Sequence, residues 1–332
     1  MSLETWIGAQ LAVALPGPAI TKTLVGQLRE LHVQSLVIFS RNVASPEQFA
    51  RLVRRLEGAL ERRLLLMVDH EGGRVVRFKK GLTRFPDALT VGRTQDAEAV
   101  ERQGTVEAQE LKRLGIRVNL APCVDVLVEG ADPVIRDRSY GTDPSRVSAL
   151  AVARIRGLQA HGVAACAKHF PGLGAVPRDP HRTLPTISLD WPTIDRAHLA
   201  PFRHAIKAGV ATVMSSHVCY PAAGDPPGLP ATCSPRLIRG LLRERMGFSG
   251  AILTDDLAMG ALRAVGTIGE AAVQAAAAGH DLFLICADLE AARAVFTALC
   301  SAYREKRLGE EELHQSLRRL ERLRRQFLPS DP

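Results

Sequence analysis

The chain has 332 residues, 46% hydrophobic and 23% charged, a profile that fits one large α/β barrel or two modest globular domains. The net charge of +8 would suit a polyanion, but Arg and Lys are spread along helical patterns and no zinc finger, RNA-binding motif or aromatic-interleaved basic tract occurs, so no nucleic-acid partner is expected. With no signal-peptide pattern, no run long enough to span a bilayer and six cysteines lacking CxxC or metal spacing, the expectation is a cytoplasmic protein with buried free thiols, no membrane partner and no cofactor.

Eight short apolar runs read as strands, at 9–15, 36–40, 64–69, 118–122, 163–169, 211–217, 251–255 and 281–286. Helical patterns lie between them. Ser45 reads as an N-cap, Pro46 as the first helical residue and Gln48 as a capping-box partner. Phe49, Leu52, Val53 and Leu56 then mark one apolar face. Gly115, Gly162, Gly209 and Gly279 each close a helix before a strand. Ser234-Pro235 opens another helix, with Leu237, Ile238, Leu241 and Leu242 apolar and Gly247 as its stop. The basic run 318–325 reads as a solvated helix face, and 326–332 as a frayed tail. Eight strands alternating with helices predict a parallel (β/α)₈ barrel, with residues 1–332 forming a single domain. An open doubly wound sheet is the runner-up, but no GxGxxG or GxxxxGK[ST] loop follows any strand.

The polar residues gather at one end of the predicted strands. The third strand leads into Asp69-His70-Glu71-Gly72-Gly73, and the fourth to Asn119 and Asp125. The fifth ends at Lys168-His169, the sixth at Ser216-His217 and the seventh at Asp255-Asp256. In a parallel barrel these sit at the carboxyl mouth, where barrel enzymes hold their active sites. The segment 168–181 is the densest, with Lys168, His169, Asp179 and His181 on a loop bent by Pro171, Gly172 and Gly174. Asp179 is spaced to hold the His181 imidazole in one tautomer, or the pair is a plain turn. Of Asp255 and Asp256, one is expected to cap a helix starting near Leu257 and the other to face the pocket; alternation does not choose between them. Arg77 and Arg138 follow strand ends and suit sugar hydroxyls or a carboxylate, or serve as surface ion pairs. His169, His181, His217, Asp69 and Asp255 would be the ligands in a metal reading. The first strand, however, ends in Ala14-Leu15-Pro16-Gly17, without the His-x-His of zinc-dependent barrel hydrolases, so no metal is expected.

In chain order, Phe39-Ser40-Arg41-Asn42, the 69–77 segment, Asn119-Leu120-Ala121-Pro122, Asp137 to Gly141, Lys168 to Gly174, Asp179-Pro180-His181 and Thr254 to Met259 resemble glycoside hydrolase family 3. More narrowly, they resemble its single-domain bacterial β-N-acetylglucosaminidases of peptidoglycan recycling. The resemblance implies a (β/α)₈ barrel and retaining hydrolysis through a glycosyl-Asp intermediate. It implies Asp255 as nucleophile and His181, supported by Asp179, as acid/base. It implies that Asp69, Arg77, Arg138, Lys168 and His169 grip the terminal sugar. The expected partner is a carbohydrate, a muropeptide or N-acetylglucosaminide, and the expected state a monomer. Leu173, Pro180 and Arg136 depart from the usual His, small polar residue and Gly. The alternatives are a family 3 enzyme of other sugar preference, a phosphorylase, and a sugar-binding barrel without turnover.

Overall fold

The computed structural model describes residues 2–328. Eight parallel strands close into a barrel in chain order. They are β1 (Leu11–Ala14), β2 (Ser35–Ile38), β3 (Leu65–Val68), β4 (Ile116–Asn119), β5 (Ala164–Phe170), β6 (Thr212–Ser215), β7 (Ala251–Asp256) and β8 (Leu282–Ile285), and β8 pairs back to β1. Each expected run overlaps one strand. The largest offset is at β4, which begins two residues early. Arg117 interrupts its apolar run, and the ladder to β3 shifts register just there. The strands are short and apolar because both faces are covered. Val37, Leu65, Met67, Val118, Met214 and Leu253 fill the interior. Alternate residues such as Leu36, Leu66, Val213 and Ile252 pack outward under the helices.

The helix signals act as their chemistry requires. Ser45 Oγ accepts from Gln48 N at 3.1 Å. Gln48 Oε1 accepts from Ala44 N at 2.8 Å, one residue before the cap. Ser234 Oγ accepts from Leu237 N at 3.0 Å and opens the segment Arg236–Arg245. Gly115, Gly162, Gly209 and Gly279 take φ of 83°, 85°, 76° and 113°, the left-handed turn that ends each helix before its strand.

Three expectations are corrected. The basic run 318–325 is not wholly solvated, because the helix Glu310–Phe327 lies under the strand starts. Arg319 Nε reaches Asp281 Oδ1 at 2.9 Å, and Arg324 donates to Ala9 O and Ser35 Oγ. Residues 326 and 327 are not frayed, since Phe327 packs with Leu320 and Leu323 against the barrel interior; residues 329–332 lie outside the described residues. The segment after β7 does not become helix at Leu257. It forms a turn and a 3₁₀ stretch, Gly260–Ala264, and regular helix starts only at Ile268, after the Thr267 cap. All six cysteines are free; five are buried and Cys286 is partly exposed. Among the described residues no helix is long and apolar enough to cross a membrane.

Candidate active site

Strands β3, β4 and β5 deliver an ionic network to the mouth. Lys168, 1% exposed, donates to Asp69 Oδ1 at 2.9 Å and Glu71 Oε1 at 2.6 Å. Arg77 takes the other Asp69 oxygen at 2.9 Å. Arg138 forks onto Glu71 through Nε and Nη2 at 2.9 and 2.8 Å. A buried ammonium is stable only when charges surround it. Burial lowers the Lys168 pKa, but Asp69 and Glu71 outweigh it and the net shift is upward. Burial raises Glu71, but Arg138 and Lys168 hold it far below the ordinary carboxylate range. The network is therefore fully ionised at neutral pH, with fixed donors at the base of the mouth. Asn119 locks the backbone between its two carboxylates, bonding His70 N at 3.1 Å and His70 O at 3.0 Å.

His169 joins the network from the next position of β5, where the ladder to β6 shifts register. Its Nδ1 lies 2.8 Å from Asp125 Oδ2 and its Nε2 3.2 Å from Arg138 Nη2. Arginine only donates, so Nε2 accepts and the proton sits on Nδ1, facing Asp125. Asp125 also accepts from His169 N, Leu173 N and Cys123 Sγ. Among the described residues, Cys123, Asp125 and His169 are the group of ligand-type side chains close enough to share an ion. Their donors and acceptors already satisfy one another.

At the end of β7 the two carboxylates part company. Asp256 Oδ1 accepts from Cys286 N at 2.9 Å and Ala258 N at 3.1 Å, which ties the strand end to β8. Burial pushes its pKa up. Burial also raises Asp255, but the His169 and His217 imidazoles, the Asp256 N–H and Lys168 outweigh it and leave this carboxyl below the ordinary range. Asp255 is left as the ionised carboxylate beside Lys168 and the His169 and His217 imidazoles; Asp256 is the one tied to the backbone.

The loop after β5 carries Asp179 and His181. Asp179 Oδ1 accepts from His181 N at 2.9 Å and lies 2.6 Å from its Nδ1. His181 is therefore held by a carboxylate at Nδ1. The loop docks on the β7 loop through its backbone: Ala261 N donates to Pro180 O at 3.0 Å and Gly260 N to His181 O at 3.1 Å. A Cβ on Gly260 would stand 2.6 Å from His181 O, so this approach needs glycine. His181 comes close enough to influence the charge of Asp256 and His217.

The side chains that depart from the family pattern take no part in these contacts, although Leu173 N and Pro180 O do. Leu173, 4% exposed, turns its side chain into the core while its N–H serves Asp125. Pro180 leaves the Asp179–His181 bond intact. Arg136 is exposed at the end of the short helix Pro133–Arg136. Two central groups carried no role in the sequence reading: Glu71 and Asp125. Glu71 sits two residues from Asp69, the spacing that returns a strand-end side chain to the same face, and that was the available signal. Asp125 lies six residues past β4 in irregular chain, where no periodicity marks it.

Residues 5–323 match the model of the glycosyl hydrolase family 3 N-terminal domain. The chain belongs to glycoside hydrolase family 3. Curated relatives carry the activity in their names. A β-hexosaminidase of Nitrosomonas eutropha is 39% identical over 295 residues, 87% of this chain and 84% of that protein. One from Thioalkalivibrio sulfidiphilus is 38% identical over 86% of this chain and 82% of its own length. Solved family 3 structures superpose closely. A β-N-acetylglucosaminidase from Paenibacillus sp. str. FPU-7 gives a TM-score of 0.96 at 37% identity over 100% of this chain; the chain spans 64% of that protein. NagZ from Neisseria gonorrhoeae, solved with N-trifluoroacetyl-D-glucosamine, gives 0.80 at 29% identity over 96% of this chain and 98% of its own. This family 3 barrel is a glycoside hydrolase of the β-N-acetylhexosaminidase type.

Proposed function

We propose that the barrel is a retaining exo-β-N-acetylglucosaminidase that releases terminal β-linked N-acetylglucosamine from peptidoglycan fragments. The observation that supports this reading is an ionised Asp255 at the end of β7 together with a His181–Asp179 dyad on a loop that docks on the segment following that strand. In the first step an Asp255 oxygen bonds to the anomeric carbon while the glycosidic C–O bond breaks. The leaving oxygen takes a proton from His181. Water then attacks the same carbon, His181 takes its proton, and the bond to Asp255 breaks, restoring both groups. Lys168, Asp69, Arg77, Arg138 and His169 hold the sugar hydroxyls in an orientation set by their own bonds. The three cations among them are paired with Asp69 and Glu71, or bonded to His169, so they are committed to the site's own carboxylates. That favours water over phosphate as acceptor. Free cysteines fit a reducing compartment, so we place the enzyme in the cytoplasm, acting as a monomer and single domain without a metal.

A panel of aryl β-glycosides tests this reading. The wild type should turn over the N-acetylglucosaminide well ahead of the glucoside and release N-acetylglucosamine, with no sugar 1-phosphate in phosphate buffer. A preference for the glucoside, or phosphorolysis, would reject it.

A further inference from the structure

His217 has no part in the roles above. It stands just past β6, 1% exposed. Its Nδ1 lies 2.7 Å from Thr232 Oγ1 and its Nε2 lies 3.0 Å from the carbonyl oxygen of Asp256. A carbonyl can only accept, so Nε2 carries a hydrogen. Burial holds the ring below its ordinary pKa, against the pull of Asp255, so it is neutral and Nδ1 is a bare acceptor. Thr232 Oγ1 also lies 3.0 Å from Ser216 O and 3.0 Å from Ser215 Oγ; Ser216 O is already served by Thr232 N, so the one hydroxyl hydrogen goes to the nearer, bare Nδ1. Thr232 is itself fixed: it is fully buried, its N donates to Ser216 O at 3.3 Å, and Ala231 N beside it donates to Val218 O at 2.8 Å. The loop after β6 thus folds back to set the tautomer of a residue at the strand's own end.

The acceptor is what gives this bond meaning. The β7 ladder with β8 shifts register between Leu253 and Asp256, so regular pairing skips residues 254 and 255 and resumes at Asp256. From the β8 side, Cys286 N holds the Asp256 side chain and Leu284 O accepts from Leu257 N at 2.9 Å. From the β6 side, His217 holds the Asp256 carbonyl. Between these clamps, Asp256 N donates to Asp255 Oδ1 at 2.8 Å. The direction of the Asp255 carboxylate therefore follows the orientation of the Asp256 main chain.

We propose that His217 is a positioning residue: in the tautomer set by Thr232, its Nε2–H holds the Asp256 backbone so that Asp255 points at the anomeric carbon. This rests on Asp255 as the nucleophile. Among the described residues, Asp255 on β7, His169 on β5, His181 on the docked loop and His280 just before β8 are the charged or titratable groups that act on the ring.

The test is steady-state kinetics on an aryl N-acetyl-β-glucosaminide. His217→Met removes the donor at similar size, and its kcat should fall by about 10–100-fold, the scale of a small misplacement. KM should stay within about twofold, because the sugar-holding network is untouched. His217→Gln places an amide N–H at the same reach and should recover most of kcat. Thr232→Val should lower kcat by about 3–10-fold and add nothing on top of His217→Met, since both act on one line of contacts. Wild-type kcat in His217→Met overturns the proposal. So does a fall that Gln does not relieve and that KM shares, which is the mark of pocket collapse. Should His217→Met fail to fold, unchanged kcat in Thr232→Val overturns it. Asp255→Asn is measured alongside: if it still turns over, the nucleophile reading fails and this proposal with it. If it is inactive while His217→Met is normal, the positioning role fails alone.

Discussion

At the scale of single residues, two carboxylates one position apart differ in state because their surroundings differ. Asp255 faces Lys168 and two imidazoles, while Asp256 has mainly backbone N–H groups to set against its burial. Asp255→Asn should therefore remove turnover of aryl N-acetyl-β-glucosaminide, and Asp256→Asn should lower it less. Equal losses in a stopped assay would show that the two roles are not separated. His181→Ala should reduce kcat by about 10²–10⁴-fold, the usual span for an acid/base. The reduction should shrink for nitrophenyl leaving groups, which need little protonation. A loss independent of leaving-group acidity would contradict the assignment. Glu71 acts differently. It neutralises Lys168 and Arg138, so Glu71→Gln leaves buried cations uncompensated and should cost about 3–5 kcal/mol in urea unfolding. A change below 1 kcal/mol, on the order of a surface pair, would refute that role.

At the scale of elements, the decisive contact is loop to loop. The Asp179–His181 segment is delivered by β5 and held by the segment after β7, through two backbone hydrogen bonds at Gly260 and Ala261. Gly260→Ala would force a Cβ to 2.6 Å from His181 O and 2.8 Å from Arg182 O. The loop should lift, kcat should fall by at least about tenfold on the scale of acid/base loss, and thermal stability should barely change. Unaltered kcat would show that docking is irrelevant to proton transfer. The same element marks a limit of sequence reading. The expected helix at Leu257 did not form, because residues 257–264 are shaped by a partner loop about 80 residues earlier in the chain, and no local pattern encodes that partner. By contrast, glycine stops and serine caps were legible, since each acts within four residues.

At the scale of the whole molecule, alternation of strands and helices made the barrel legible, and the barrel then decides which end of every strand is functional. Lys168, Asp69, Arg77, Arg138 and His169 do converge as expected. Their mutual pairing through Glu71 and Asp125 was not legible, because ion pairs between β3, β4 and β5 depend on closure. The gathered charges also tie stability to pH. Unfolded Glu71 titrates near 4.5 and the folded group far lower. Its contribution is complete above 4.5 and drains away as pH falls toward the folded value. Asp69 and Asp255 act in the same direction from 3.8. Asp256 and Glu107, raised by burial, act oppositely and offset part of it. The urea midpoint should drop steeply below pH 4.5, and Glu71→Gln should flatten the drop. An equal slope in that variant would refute the linkage.

The central claim is that Asp255 becomes covalently bonded to the sugar while His181 moves the proton. Trapping with a slow, activated fluorinated N-acetylglucosaminide, followed by intact mass and peptide mapping, tests it most directly. The account predicts one added glycosyl mass, located on Asp255, that accumulates in His181→Ala when the leaving group needs no protonation. A label on another residue, or rapid turnover with no adduct and release of the inverted anomer, would contradict it.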